Sequence, residues 1–494
     1  MTNSFSFEVK DTDLMGRIGV MKVGQKSFET PCLTPVIHPV WRDIPLSKFR
    51  QMGFDVLMTN SYILYKRKRE EALQKGLHEL IGFDGVLMTD SGGYQVLEYG
   101  DTEFTPHEIG EFQSKIGSDL AVTLDRPTGY SSSRRNARET MTVSLEAAKE
   151  TIGDFGESDT VWVGPIQGGT YGDLVKTSTR GLVSAGFQLL ALGSPVELME
   201  GYLFTQLVEM IVNAKKSMPY SLPLHLFGAG HPITLPLSVA LGCDTFDSAS
   251  YMLYAKKERY MTESGTLQLG RMAYLPCSCE VCNGTSKTDL VEMPREDRVR
   301  KIALHNLHVL RADVLRCREA ITEGRLWDLV EERATVHPSA AMAFRLLGEK
   351  HGKWLSKATP LLKRGGLRIR SDEDSRRPEL ELVREHLGGV MKSGNKRGRI
   401  AILVPSSASP PLTKTSGRLR RIKDIESADI FRINPALGPY PAELEFVFPF
   451  TQTISDREAP EASVKASVKR LKRMGYSKVR VAGLGRKGRE SAQE

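Results

Sequence analysis

The chain has 494 residues, of which 40% are hydrophobic and 26% are charged, with a net charge of +8. This composition is typical of a globular protein, and the length is more than one ordinary domain needs. No apolar run reaches the roughly 18 residues of a membrane span, and the start MTNSFSFEVKD lacks the features of a secretory signal. We therefore expect a cytoplasmic protein with a large domain and an accessory domain.

The positive charge is concentrated near the C-terminus. Residues 391–494 contain 21 Lys and Arg against 10 Asp and Glu, a net of +11, so the total of +8 leaves −3 for the first 390 residues. A polyanionic partner such as nucleic acid would explain this surplus, because neutralising phosphates is a general source of affinity. A solvated basic tail is an equal alternative on composition alone.

In chain order, residues 1–31 read as short strands with turns, which predicts an antiparallel cap. A repeated pattern follows, in which an apolar strand ends in a polar residue or glycine and a helical segment comes next. The eight predicted strands are LTPVIH, DVLMTN, GVLMTD, DLAVTLD, VWVGPIQ, FQLLALG, LHLFGAG and CDTFD. Amphipathic segments between strands indicate parallel βα units.

Eight such units favour an α/β fold of the (β/α)8 TIM barrel type, whose functional residues lie at the carboxyl ends of the strands. An open doubly wound sheet is the alternative, but no G-x-G-x-x-G follows the first strand. We assign residues 1–355 to the barrel, with a zinc-binding insertion at about 270–310, and 356–398 to a linker. Residues 399–494 are predicted as a basic α+β accessory domain with strands RIAILVPSS, AELEFVFPF and KVRVAGL and the helix ASVKASVKRLKRMGY.

A cysteine cluster, LPCSCEVC, predicts a metal site. Three of the six cysteines, Cys277, Cys279 and Cys282, fall within six residues. Three thiolates and one imidazole complete a closed tetrahedral zinc shell, which is typical of a structural ion. His305 and His308 are both available on one helical face, and the spacing leaves the choice between them open.

Several polar side chains follow the predicted strands and would meet at one end of a barrel. Asp90, Asp125 and Asp247 could supply a nucleophile, a general acid/base and a hydrogen-bonding group for a polar ligand. Gln167 can both donate and accept a hydrogen bond, and Tyr94 could stack on a planar ring. The alternatives are helix capping by the aspartates and core packing by the tyrosine.

Taken together, TDSGGYQ, IQGGTYGDL, HLFGAGHP, FDSASYMLYAK, LPCSCEVC and LHNL resemble the archaeal tRNA-guanine transglycosylases. The resemblance covers residues 5–350, and more loosely GPYPAELEFVFPFTQT. It implies exchange of guanine for a 7-deazaguanine, preQ0, at position 15 of tRNA. It also implies a homodimer.

The resemblance also assigns roles to residues. Asp247 would be the nucleophile that attacks the ribose C1′, and Asp90 the general acid/base. The base would be bound by Asp125, Gln167 and the backbone near Gly193. Independently of the resemblance, Tyr94 supplies a ring that could stack on the base. The family's zinc pattern selects His305 as the fourth ligand.

Three features depart from the family pattern. Gly193 is followed by Ser194 where the family has a second glycine, and the stretch that begins at Asp125, at the end of the fourth predicted strand, is DRPTG in place of a more proline-rich turn. Single-chain relatives also continue into an RNA-binding PUA domain, so we expect a separate PUA-domain subunit. The alternative functions are a non-catalytic tRNA-binding subunit, which would have no reason to keep both Asp90 and Asp247, and a transglycosylase acting on DNA.

Overall fold

A computed structural model describes residues 5–93, 104–371, 373–392, 399–405, 428–434, 436–450, 452–455 and 461–482. The chain divides into two compact units, Met1–Phe344 and Arg345–Glu494. Among the described residues, no helix combines the length and apolar character needed to cross a membrane.

The first unit begins with the predicted antiparallel cap. Its three strands are β1 (Phe5–Asp13), β2 (Gly16–Val23) and β3 (Lys26–Thr30). They pair in the order β1-β2-β3 through tight turns. Met21, Val23 and Phe28 of this sheet are buried in the same cluster as apolar side chains of the barrel strands, so the cap closes one end of the core.

The structure confirms the eight predicted strands and the (β/α)8 barrel. The strands are β4 (Cys32–Pro35), β5 (Val56–Asn60), β6 (Val86–Asp90), β7 (Leu120–Val122), β8 (Val161–Ile166), β9 (Leu189–Leu192), β10 (Leu224–Leu226) and β11 (Thr245–Ser248). All pair in parallel in the order β4-β11-β10-β9-β8-β7-β6-β5. A parallel bridge between Val36 and Met58 joins β4 to β5 and completes the ring.

Alternate residues of the strands fill the barrel interior. Val56 and Met58 of β5 share a cluster with alternate residues of the neighbouring strands: Val86, Met88, Leu120, Val122, Val161, Val163, Leu189 and Ala191. Because successive strand residues point to opposite faces, the intervening ones pack against the surrounding helices. The barrel is therefore a solid core, and polar chemistry is left to the strand ends.

Helices surround the barrel. In chain order they are α1 (Leu46–Gln51), α2 (Ser61–Lys75), α3 (Leu77–Ile81), α4 (Pro106–Lys115), α5 (Arg134–Phe155), α6 (Gly172–Ser184), α7 (Val196–Glu200), α8 (Phe204–Lys215), α9 (Leu235–Ala240) and α10 (Ser250–Lys256). Capping residues fix the N-termini of several helices. The Asn60 side chain accepts from the Ile63 N–H at the start of α2, and Thr105 forms a capping box with Glu108 at the start of α4.

The segment after β11 forms a small hairpin and a helical layer. The hairpin strands are β12 (Arg259–Thr262) and β13 (Gly265–Gln268), and the helices are α11 (Lys287–Glu292), α12 (Arg295–Glu323), α13 (Leu326–Ala334) and α14 (Pro338–Leu346). Asn306 on α12 ties the helix to β12: its Oδ1 accepts from the Met261 N–H at 2.9 Å, and its Nδ2 donates to the Arg259 carbonyl at 3.2 Å. This link positions the residues of the predicted zinc insertion.

The second unit has its own core. A sheet in the order β17-β16-β15-β19 is built from β15 (Ile400–Pro405), β16 (Ala428–Asn434), β17 (Gly438–Pro441) and β19 (Lys478–Val481), beside the pair β14 (Arg368–Ile369) and β18 (Ile454–Ser455). A π-helical turn (Leu347–His351) and the helices α15 (Gly352–Leu355), α16 (Pro378–Lys392) and α17 (Glu461–Arg473) complete it. The apolar side chains of α16 belong to this core, although the sequence analysis placed residues 356–398 in a linker.

One strand predicted for this unit is wrong. AELEFVFPF begins with a short 3-10 helix, Ala442–Leu444, and continues in turns, whereas β16, Ala428–Asn434, was not predicted. The alternation in AELEFVFPF does not correspond to alternating burial, since Phe446 is exposed whereas Phe448, Pro449 and Phe450 are buried in succession. The apolar alternation of this stretch therefore does not mark a strand: turns bury the rings of Phe448 and Phe450, and Pro449 cannot donate to a sheet ladder.

Candidate functional site

Asp90 lies at the carboxyl end of β6 and directly opposite the end of β5. In the sheet register Asn60 pairs with Asp90, and the Asn60 Nδ2 donates to the Asp90 Oδ2 at 3.1 Å. Burial, together with the negative charges of Asp125 and Asp247, raises the pKa of Asp90 to about 7. Asp90 can therefore hold or release a proton near neutral pH, as a general acid/base must.

Asp125 and Gln167 form a hydrogen-bonded pair beyond the ends of β7 and β8. The Gln167 Nε2 donates to the Asp125 Oδ2 at 2.5 Å. The amide oxygen of Gln167 accepts from the Thr128 N–H at 3.0 Å and from the Ser194 hydroxyl at 3.1 Å. These contacts set the orientation of the buried amide. Among the residues that the structure describes, the second N–H of Nε2 has no acceptor and is available to a ligand.

Two glycines allow the backbone to approach this pair. A Cβ at Gly93 would lie 2.1 Å from the Asp125 Oδ1, and a Cβ at Gly193 would lie 2.2 Å from the Gln167 Nε2. Burial also raises the pKa of Asp125 to about 6, against the opposing effect of the hydrogen bond from Gln167. The strand ends thus bring Asp90, Asp125, Gln167 and Gly193 together as the sequence predicted.

Asp247 lies on β11, opposite Thr34 of β4 in the register. Its carboxylate is almost fully buried, and its Oδ1 accepts from the Gly228 N–H at 2.8 Å and contacts the His225 Nε2 at 3.1 Å. Within the described part of the chain, no donor contacts the Asp247 Oδ2. One carboxylate oxygen is therefore held in place while the other is available to a substrate.

Asp244 is separate from this site. Its carboxylate forms a buried bidentate pair with Arg17, with the Nε to Oδ1 distance at 2.9 Å, and also accepts from the Leu224 N–H at 2.8 Å. Leu224 begins β10, so this pair lies at the amino ends of the strands, opposite the site. Asp244 therefore holds the cap to the barrel and has a structural role.

Tyr94 lies outside the described residues. Three side chains that do contribute were not predicted: Asn60, His225 and the hydroxyl of Ser194. Asn60 could have been found, because it ends DVLMTN at the same position as Asp90 ends GVLMTD. The position of His225 inside the apolar stretch LHLFG could have indicated that this histidine belongs to the site.

The predicted metal ligands also come together. The sulfur atoms of three cysteines and one nitrogen of His305 lie within 4.8 Å of one another: Cys277, Cys279, Cys282 and His305. The His305 Nδ1 lies 3.6 Å from the Cys279 Sγ and 3.5 Å from the Cys282 Sγ. His308 instead faces Glu280, with 3.6 Å between its Nε2 and the Glu280 Oε1.

The donor set fits a closed metal site. The His305 Nε2 contacts the Met261 carbonyl at 2.8 Å, so this nitrogen carries the ring proton and leaves Nδ1 free to bind a metal. Tyr260 stacks on the His305 ring at 3.6 Å between centroids, and its hydroxyl lies 3.1 Å from the Cys282 Sγ. Three sulfurs and one imidazole leave no position for a substrate, so a bound ion would have a structural role.

Comparison with known proteins agrees with this geometry. The profile of the queuine tRNA-ribosyltransferase family matches residues 11–339. The chain is 47% identical over 339 residues to a protein of Aeropyrum pernix named tRNA-guanine(15) transglycosylase, an alignment that covers 68% of this chain and 65% of that protein.

Two further proteins of that name align over more of their length. The chain is 36% identical to the one from Sulfolobus acidocaldarius, over 90% of this chain and 88% of the relative. It is 38% identical to the one from Methanosarcina mazei, over 94% and 91%. The chain therefore belongs to the queuine tRNA-ribosyltransferase family.

Proposed function

We propose that the protein exchanges guanine for the 7-deazaguanine preQ0 at position 15 of tRNA. The observation that carries this proposal is a pair of unlike carboxyl groups at one end of the barrel. Asp90 has a pKa of about 7, whereas the Asp247 carboxylate accepts a hydrogen bond from the Gly228 N–H. One group can deliver a proton to a leaving base while the other attacks the sugar. The relatives' name, tRNA-guanine(15) transglycosylase, supports the exchange of guanine at position 15 of tRNA.

In the proposed reaction, Asp247 attacks the ribose C1′ as the bond to guanine breaks. Asp90 gives its proton to the departing base, and the covalent ribosyl-aspartate remains. The incoming 7-deazaguanine then loses its ring N–H proton to Asp90 as it displaces Asp247. Asp125 and Gln167 hydrogen-bond the base edge, the backbone near Gly193 adds a further contact, and Tyr94 stacks on the ring.

The direct test is incubation of the protein with radiolabelled guanine and either tRNA or duplex DNA. We expect label in tRNA and none in DNA. Label in DNA alone would favour the DNA-directed transglycosylase. Binding of tRNA without incorporation would favour a non-catalytic subunit, although such a subunit would have no use for both Asp90 and Asp247.

A structural zinc ion is part of the proposal. We propose that Cys277, Cys279, Cys282 and His305 hold it, and that it fixes the segment after β13 to α12. Homodimer formation, a cytoplasmic location and a separate PUA-domain subunit stay predictions. Sedimentation of the protein alone tests the first of them.

Removing the zinc is expected to destabilise the first unit without affecting the chemistry directly. Cys279→Ser, or exposure to a strong chelator, should lower the melting temperature on the order of 10 °C, because the ion joins segments that are distant in sequence. Metal analysis should find about one zinc per chain in the wild type. Cys317→Ser, at a buried cysteine of α12 outside the cluster, is the control and should keep the metal.

Ser194 is expected to tune base binding. It has a φ of +61°, which strains a residue other than glycine, and its hydroxyl donates to the Gln167 carbonyl. Both Ser194→Gly and Ser194→Ala remove this donor and should raise the KM for guanine about 3- to 10-fold. Only the alanine variant keeps the strain, so its melting temperature should be the lower of the two. An unchanged KM in both would contradict a role for Ser194 in base binding.

A further inference from the structure

His225 is fully buried behind the Asp247 carboxylate, and both of its ring nitrogens face polar partners. On β10 it lies directly opposite Thr245 of β11 in the sheet register. Its Nδ1 lies 2.9 Å from the Thr245 hydroxyl, and its Nε2 lies 3.1 Å from the Asp247 Oδ1. The Phe227 ring packs edge-on against the imidazole at 5.0 Å between centroids.

For a neutral imidazole, these contacts define one arrangement of hydrogens. Because the Asp247 carboxylate can only accept, Nε2 must carry a proton and donate it. In a neutral imidazole Nδ1 then accepts, and the Thr245 hydroxyl is the donor that it faces. The Thr245–His225–Asp247 chain is thus a relay of hydrogen bonds that holds the ring in one tautomer and one orientation.

The same carboxylate oxygen receives a second donor. The Gly228 N–H reaches Oδ1 at 2.8 Å, so His225 and Gly228 together hold this atom from two sides. Oδ2 has no donor among the described residues and is the atom left to react. Burial of an imidazole with unpaired nitrogens would cost stability, so the contacts at Nδ1 and Nε2 keep the His225 ring in this position beside Asp247.

We infer that His225 is a positioning residue that selects the Asp247 Oδ2 as the attacking atom. The inference rests on the proposed function. In that reaction a bond forms between Oδ2 and the ribose C1′ as the bond from C1′ to the base nitrogen breaks. The electron pair of the broken bond goes to the base, which takes a proton from Asp90. His225 keeps its own proton throughout and holds Oδ1 while negative charge leaves the carboxylate.

Four variants test this role. His225→Leu removes the donor, whereas His225→Gln places an amide N–H near the position of Nε2. Thr245→Val removes the hydroxyl that fixes the tautomer, whereas Thr245→Ser keeps it. For each, the rate of covalent enzyme–tRNA adduct formation is measured in a single turnover, together with the KM for tRNA and the melting temperature.

We expect His225→Leu to slow adduct formation about 10- to 100-fold, the loss that follows removal of a hydrogen bond to a charged group. The KM for tRNA should stay within about 3-fold, because His225 acts on the nucleophile and not on tRNA binding. His225→Gln should recover part of the rate. Thr245→Val should slow adduct formation about 10-fold, and Thr245→Ser should form the adduct at the wild-type rate.

The outcomes separate this inference from the proposed function. If the wild type forms no adduct and incorporates no guanine, the proposed function itself fails. If the wild type is active and both His225→Leu and Thr245→Val form the adduct at the wild-type rate, the inference about His225 is overturned and the proposed function stands. Should His225→Leu fail to fold, the Thr245 pair decides: equal rates for valine and serine at that position also overturn it.

Discussion

Replacing Asp247 with asparagine is expected to abolish guanine exchange, with a loss on the order of 10⁴-fold or more. The amide is nearly isosteric with the carboxylate, and its oxygen can still accept from the Gly228 N–H and face His225. The fold should therefore survive while the nucleophile is lost. No covalent adduct with tRNA should form, as judged by electrophoresis under denaturing conditions.

The matched control for this variant is Asp159→Asn. Asp159 is exposed and lies two residues before β8 begins, at the amino ends of the strands. Its replacement should change neither the adduct yield nor the melting temperature. Guanine incorporation that survives Asp247→Asn in a preparation free of wild-type enzyme would remove Asp247 as the nucleophile.

Much of the barrel could be predicted from the sequence because each strand carries its own signal. DVLMTN and GVLMTD share an apolar run and a polar final residue, and the structure pairs their last residues, Asn60 and Asp90. Parallel strands that end at one level bring their final polar residues together, and this does not depend on the conformation of the loops between the strands. The convergence of Asp90, Asp125 and Gln167 is therefore a consequence of strand pattern.

The contacts that refine the site could not be predicted in this way. His225 meets Thr245 and Asp247 because β10 and β11 pair in one register, and no spacing within the chain specifies that register. The left-handed backbone of Ser194 depends on the loop around it. In the second unit, AELEFVFPF has the apolar alternation of a strand in its sequence. Turns nevertheless bury the rings of Phe448 and Phe450, because tertiary packing overrides a local pattern.

Asp90 is expected to give the two half-reactions opposite pH dependence. Burial, with the charges of Asp125 and Asp247, raises its pKa to about 7, so the carboxyl is protonated below this pH and ionised above it. Loss of guanine needs the proton, and adduct formation should slow about tenfold per unit as pH rises beyond about 7. Uptake of the new base needs the ionised form, and that step should slow as pH falls through the pKa of Asp90 in the adduct, which is lower than in the free enzyme because the esterified Asp247 carries no charge.

Single-turnover measurements from about pH 5 to about pH 9 separate the two steps, with tRNA added to free enzyme in one series and guanine added to isolated adduct in the other. Asp90→Asn should slow both steps about 10²- to 10⁴-fold and abolish both pH dependences, since the amide neither gives nor takes the proton. Two half-reactions that slow on the same side of neutrality would contradict the assignment. The symmetry follows from the exchange itself: one carboxyl group gives a proton to the leaving base and regains one from the incoming base, and a pKa near neutrality lets a single residue do both.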